Sequence, residues 1–223
     1  MQLSLKPVAL ATLTLALACV APLQAAPLPA AAGAPAAPAA AAATPAAPKL
    51  HAAMRSLWHG HIVHAREYAL AVHAHDDAKA KAAADAVVAN AHQISDAVAG
   101  FYGKAGGEKM MSLLAGHWGA VKALTDARAK NDTEAANTAM THLVSNAGDI
   151  AKFLSSANPN LPEDTVRGLM LAHGAHHSQQ ISQIMAGDSK GEASSWVTMQ
   201  QHMDGIADAL AGAIAKQFPA KAS

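Results

Sequence analysis

A repeat of 56 residues constrains this chain more than any other feature of its sequence. Residues 52–107, 108–163 and 164–219 lie under one another without a gap. Leu57, Leu113 and Leu169 share a column, and so do His61, His117 and His173. Asp76, Asp132 and Asp188 form a third column, and Ile94, Ile150 and Ile206 a fourth. Asn90 and Asn146 align with His202, and Gly60 and Gly116 with Ala172. An exact period of this length is the mark of one supersecondary unit copied in tandem.

Each copy reads as two helices. Leu57, His61, Ala65 and Tyr68 follow one helix face at i, i+4, i+8 and i+11. The aspartate column then falls where a first helix ends and a second begins, the place where a carboxylate accepts hydrogen bonds from free amides and faces the positive end of a helix dipole. Val87, Asn90, Ile94, Ala97 and Phe101 continue on a second stripe, which stops at Gly103, with equivalent stops at Asn158-Pro159 and Phe218-Pro219. Pro162 followed by Glu163 and Asp164 is a helix start. Composition agrees: 59 of the 223 residues are alanine, the best helix former, and only 4% are aromatic. The expected fold is all-α, a six-helix bundle of three tandem αα-hairpins over residues 50–219.

The preceding residues read as address and spacer. Lys6, the apolar run Val8 to Val20 and a small-residue site after Ala25 form a signal peptide over residues 1–25. Cys19 offers a second option, a lipoprotein cysteine. Residues 26–49 are rich in Ala and Pro, a linker that buries no core. The expected location is periplasmic or secreted, with no transmembrane span in the mature protein. The folded part has no cysteine, so its stability comes from its core. Lys plus Arg and Asp plus Glu balance at 16 each, which removes any general electrostatic case for nucleic acid.

Thirteen histidines are the outlier of the composition. His61 lies 15 residues before Asp76 and Asn90 lies 14 after it, so the two stand at one height across the hairpin. The same holds for His117 with Asn146 and His173 with His202. The plain interpretation is a buried His–Asn hydrogen bond that fixes register. The third copy departs from it, because asparagine becomes His202 and two imidazoles face each other. His177 adds a donor one turn beyond His173, the spacing of two metal ligands on one helix. His173, His177 and His202 are therefore the expected primary metal ligands, with His61 and His117 near enough in the same layer to contribute. Asp208 is a marginal further candidate. His64 and His176 align at the period and are secondary candidates, whereas His51, His73, His75, His92 and His142 read as surface. Neutral imidazole binds metal and imidazolium does not, so affinity is expected to fall below roughly pH 6.5.

Copper, zinc and nickel all suit imidazole, and a methionine-rich, cysteine-free chain leans toward copper. Methionine at helical spacing also reads as core filler. No His-Glu-x-x-His, no di-iron Glu-x-x-His, no phosphate loop and no Cys-x-x-Cys-His is present. The hemerythrin-like pattern is incomplete, since Val121 stands four after His117. No acid–base or nucleophile constellation supports an enzyme.

Leu57-Trp58-x-x-His61-Ile62, the segment Phe153 to Asn160 and Lys216-Gln217-Phe218-Pro219 resemble segments of a family of exported bacterial helical proteins without an established activity. The resemblance covers most of residues 50–219 and implies export and helix content. In that family an aspartate often precedes the repeat histidine, whereas Gly60 and Gly116 do so here. The expected function is an extracytoplasmic metal-binding protein for storage, buffering or handover. The competing readings are a non-catalytic interaction or stress bundle with structural histidines, and a non-covalent haem or di-metal redox protein.

Overall fold

The computed structural model describes residues 47–222; the expected signal peptide and nearly all of the expected linker lie outside them. Among the described residues the chain is all-helical, with six helices and no strand. They are α1 (Pro48–His73), α2 (Asp77–Ala129), α3 (Thr133–Ala157), α4 (Glu163–Met185), α5 (Ser189–Gln217) and the single turn α6 (Pro219–Ala222). α2 is broken at Gly103, whose φ of 78° and ψ of 173° belong to a region that only glycine occupies without strain. The stop expected at Gly103 is thus a non-helical residue between helical segments 77–102 and 104–129. None of the helices is long and apolar enough to cross a membrane.

Three turns are built alike. Asp76 accepts from the Lys79 amide at 3.0 Å, Asp132 from Ala135 at 3.0 Å and Asp188 from Gly191 at 2.9 Å. Each aspartate amide also reaches back to the carbonyl five residues earlier, of Ala71, Ala127 and Gln183. The residue before it is left-handed in every case: His75 at φ 55°, Asn131 at 57° and Gly187 at 69°. This is a Schellman C-cap run directly into an N-cap. Histidine is the poorest of the three residues for that conformation. Replacing it by glycine, His75→Gly, is expected to stabilise the fold by about 1 kcal/mol and raise the melting temperature by about 2–4 °C. A thermal melt showing no gain would place the strain elsewhere.

α1 packs on α2 and α5, α3 on α2 and α4, and α4 on α5, while α4 also touches α1 and α2. At one end Asn158, fully buried, donates to the Tyr102 hydroxyl at 2.9 Å, and that hydroxyl donates to Gln217 at 3.2 Å. On the α1–α5 seam Arg66 clamps Glu192 with two bonds of 2.6 and 2.8 Å, and Gln180 adds a third of 2.9 Å.

The apolar core falls into two clusters. One holds Trp58, Ile62, Met110, Leu114 and Met170; the other holds Ala65, Trp118, Val121, Leu124 and Ile181. His61 and His117 fall at the junction, each within one turn of members of both clusters, and His173 and His177 lie on α4 between Met170 of the first and Ile181 of the second. The helices that bury alanine and leucine above and below therefore carry a polar layer between.

Candidate metal centre

His61 comes from α1, His117 from the second half of α2, and His173 and His177 from α4. They are 2%, 6%, 2% and 2% exposed. One ligand nitrogen from each lies within 4.8 Å of all the others, close enough to hold one metal ion. The six ring-centroid separations run from 4.5 Å for His173–His177 to 6.1 Å for His61–His177. Four imidazoles set tetrahedrally around an ion at ~2.0–2.1 Å would place their centroids ~5 Å apart. The cluster brackets that value, so small side-chain rotations close it. The donor set is four imidazoles with no carboxylate and no thiolate.

Burial sets the protonation state. It pushes His61 down to about 3, helped by His117 and His64. It pushes His117 down to about 4, with Asn146 opposing. His173 and His177 are held well below the ordinary histidine value, first by burial and then by neighbouring imidazoles. All four are neutral at pH 7. The loss of affinity expected below pH 6.5 is therefore moved to lower pH for these rings, because burial has already expelled the proton.

The hydrogen bonds differ from the expected His–Asn pairs. Asn90 donates to the Leu57 carbonyl at 3.0 Å, and Asn146 to the Leu113 carbonyl at 3.0 Å. A helix carbonyl has a second lone pair after its own helix bond, and the amides use it. The residue before each histidine makes room. A Cβ on Gly60 would meet the Asn90 amide nitrogen at 2.9 Å, and one on Gly116 the Asn146 amide at 3.3 Å. Glycine at both positions thus admits the asparagine. The histidines remain short of partners. His61 Nδ1, His117 Nε2 and His173 Nδ1 are buried without a hydrogen bond, as are Asn90 Oδ1 and Asn146 Oδ1. Within the cluster one close contact is made, His173 Nε2 to His177 Nε2 at 3.1 Å. A void of about 10 Å³, the size of one small particle, touches His61, His117 and His173 together with Met110, Met170 and Trp58.

The structure brings together His61, His117, His173 and His177. It places His202 beside this group and not within it. The His202 Nε2–H donates to the Leu169 carbonyl at 3.0 Å, the bond Asn90 and Asn146 make at their positions. The change from asparagine to histidine therefore keeps the backbone bond, and the His202 ring lies parallel to His173 with the centroids 6.3 Å apart. Asp208 is taken by Arg55 and by His51, the latter at 2.9 Å, and is not a member of the cluster. His64 bonds Glu67 at 2.8 Å. His73, His75, His92 and His142 are exposed, as expected, whereas His51 is partly buried against Asp208. Met110 and Met170 were readable as core positions; their place on the void beside the imidazoles was not.

No protein-family model, curated protein or solved structure matches the chain.

Proposed function

We propose that this is an exported metal-binding protein that holds one transition-metal ion on His61, His117, His173 and His177. One observation carries the reading. Four buried neutral imidazoles converge from three helices, and three of their nitrogens lack any partner. A buried polar atom without a hydrogen bond costs roughly 1–3 kcal/mol. Leucine or alanine at these positions would avoid that cost, so a purely structural role explains the cluster poorly. A bound ion would take one lone pair from each of the four rings.

Copper in its +1 state suits the site best. The four ligands carry no negative charge, and Born desolvation rises with the square of the charge, about fourfold from a monovalent to a divalent ion. The thioethers of Met110 and Met170 beside the void are soft donors of the kind Cu(I) accepts. The fully buried ring set favours storage or handover over catalysis at an open coordination position. We further propose that the bundle arose as three tandem hairpins, and that the amino-terminal segment directs export.

Equilibrium dialysis under anaerobic, reducing conditions tests the reading. The expected result is one Cu(I) per chain, with Zn(II) and Ni(II) held more weakly. A protein that retains none of the three ions after dialysis would show the cluster to be structural.

A further inference from the structure

The four-histidine centre is closed, and this raises the question of how an ion reaches it. Each ligand is at most 6% exposed. We propose that His176 and His202 form an outer metal-binding pair through which Cu(I) is first captured and then passed to His173. The inference rests on the metal reading of the buried centre.

Three observations on this pair support it. The first is separation. The two ring centroids are 4.9 Å apart, with the planes at 58°. Two imidazoles sharing an ion at ~2.0–2.1 Å stand ~4.5–6 Å apart, depending on the angle at the metal. The second is the free lone pair. The Leu169 carbonyl can only accept, so His202 donates to it from Nε2, which leaves Nδ1 to offer a lone pair when that nitrogen carries no proton. The asparagine at the equivalent positions makes the same backbone bond and offers only an amide oxygen in its place. Histidine at 202 thus adds a soft nitrogen donor without giving up the structural contact. The third is position. Both rings are only partly buried. The His202 ring lies parallel to His173, at 6.3 Å and 16°, and His173 touches His177 at 3.1 Å. Half-buried His176, His202 and fully buried His173 form a continuous line of imidazoles from the surface to the centre.

The pair is found in one place in the sequence. The positions equivalent to His176 and His202 are His64 with Asn90 and Ala120 with Asn146. Imidazole stands at both only between α4 and α5, and α4 is also the helix that supplies two of the four central ligands. His64, moreover, is already engaged by Glu67. A capture site and its destination are therefore carried by the same helix.

Stopped-flow uptake by the full chain tests this, with Cu(I) supplied as its bicinchoninate complex and followed by loss of that complex's colour. His202→Asn restores the residue of the other two positions and keeps a donor to the Leu169 carbonyl. His176→Gln removes the outer ring at a partly exposed site. Each is expected to slow uptake about tenfold or more, while the final occupancy and the affinity from competition at equilibrium stay within about twofold of wild type. Uptake at the wild-type rate in both variants would overturn the capture role and leave the buried centre standing. A fall in equilibrium affinity matching the fall in rate would make His202 a ligand of the centre itself and would also overturn it. If wild type takes no Cu(I) from the complex while holding none by dialysis, the centre fails, and the outer pair fails with it.

Discussion

Metal-free protein moved from pH 7 to pH 5 is expected to lose about 4 kcal/mol of stability through His61 and His117, and more in the same direction through His173 and His177. The four central histidines are neutral in the folded state, and their folded values lie below the ordinary one, His61 at about 3 and His117 at about 4. In the unfolded chain each titrates near 6.5. The unfolded state therefore binds more protons than the native state throughout this interval, and stability falls as pH falls. The contribution is fully present above about pH 6.5 and is lost progressively toward the folded values. Each fully unmatched proton adds a slope of about 1.4 kcal/mol per pH unit, so His61 and His117 each account for about 2 kcal/mol between pH 7 and pH 5. Domains of this size hold only about 5–15 kcal/mol in total.

Urea unfolding of the metal-free protein, followed by circular dichroism at steps between pH 7.5 and pH 4.5, measures this slope. His117→Leu removes one titrating group from the layer and is expected to flatten the slope by about 1.4 kcal/mol per pH unit. A stability that stays level from pH 7 to pH 5 would mean that the rings reach solvent or carry their protons when folded. The cluster is thus a weak point of the apoprotein: the desolvation that readies the imidazoles for an ion also makes the fold acid-labile.

Much of this arrangement was legible in the sequence. His61, His117 and His173 stand 56 residues apart on apolar stripes, and periodicity alone puts them on inward faces. His177 follows His173 by one turn, so its membership of the same cluster needs only helix geometry. The capping aspartates were equally open, because a carboxylate's use at a helix start is local. The role of His202 was not. Its partner is the second lone pair of the Leu169 carbonyl, 33 residues away. Sequence gives no sign of which helix carbonyls keep a lone pair accessible, and facing side chains at one height invite the assumption that they bond each other. The asparagines mislead in the same way. The room beside Gly60 lets Asn90 reach past His61 to the backbone. Long-range pairs between helix faces, such as Arg66 with Glu192 across 126 residues, depend on which helices become neighbours. A fall in affinity at pH 6.5 was the natural expectation for a histidine site; only burial at all four rings moves it.

Cu(I) in excess is expected to offset part of the acid lability and to raise the melting temperature by about 8–16 °C at pH 7. Binding to the native state alone stabilises by about 4 kcal/mol when free ligand stands at 1,000 times Kd. For a domain of 150–250 residues, 1 kcal/mol shifts the melting temperature by about 2–4 °C. The gain should depend on the cluster. Removing one ligand, as in His117→Ala, leaves a three-imidazole site beside a cavity, and the thermal gain should shrink to a few degrees or vanish. His92→Ala with His142→Ala removes two exposed imidazoles and should leave the gain intact. The metal-bound native state carries no protons on these rings and the unfolded chain still takes them up, so the loaded protein should lose stability toward pH 5 on the same slope, from a starting point about 4 kcal/mol higher. Calorimetric melts of the three proteins, with and without Cu(I) at pH 7 and pH 5, separate the outcomes. A rise shared equally by wild type and His117→Ala would assign the stabilisation to surface histidines. The absence of any rise in wild type would leave four neutral rings packed in the core at a net cost with no ion to offset it.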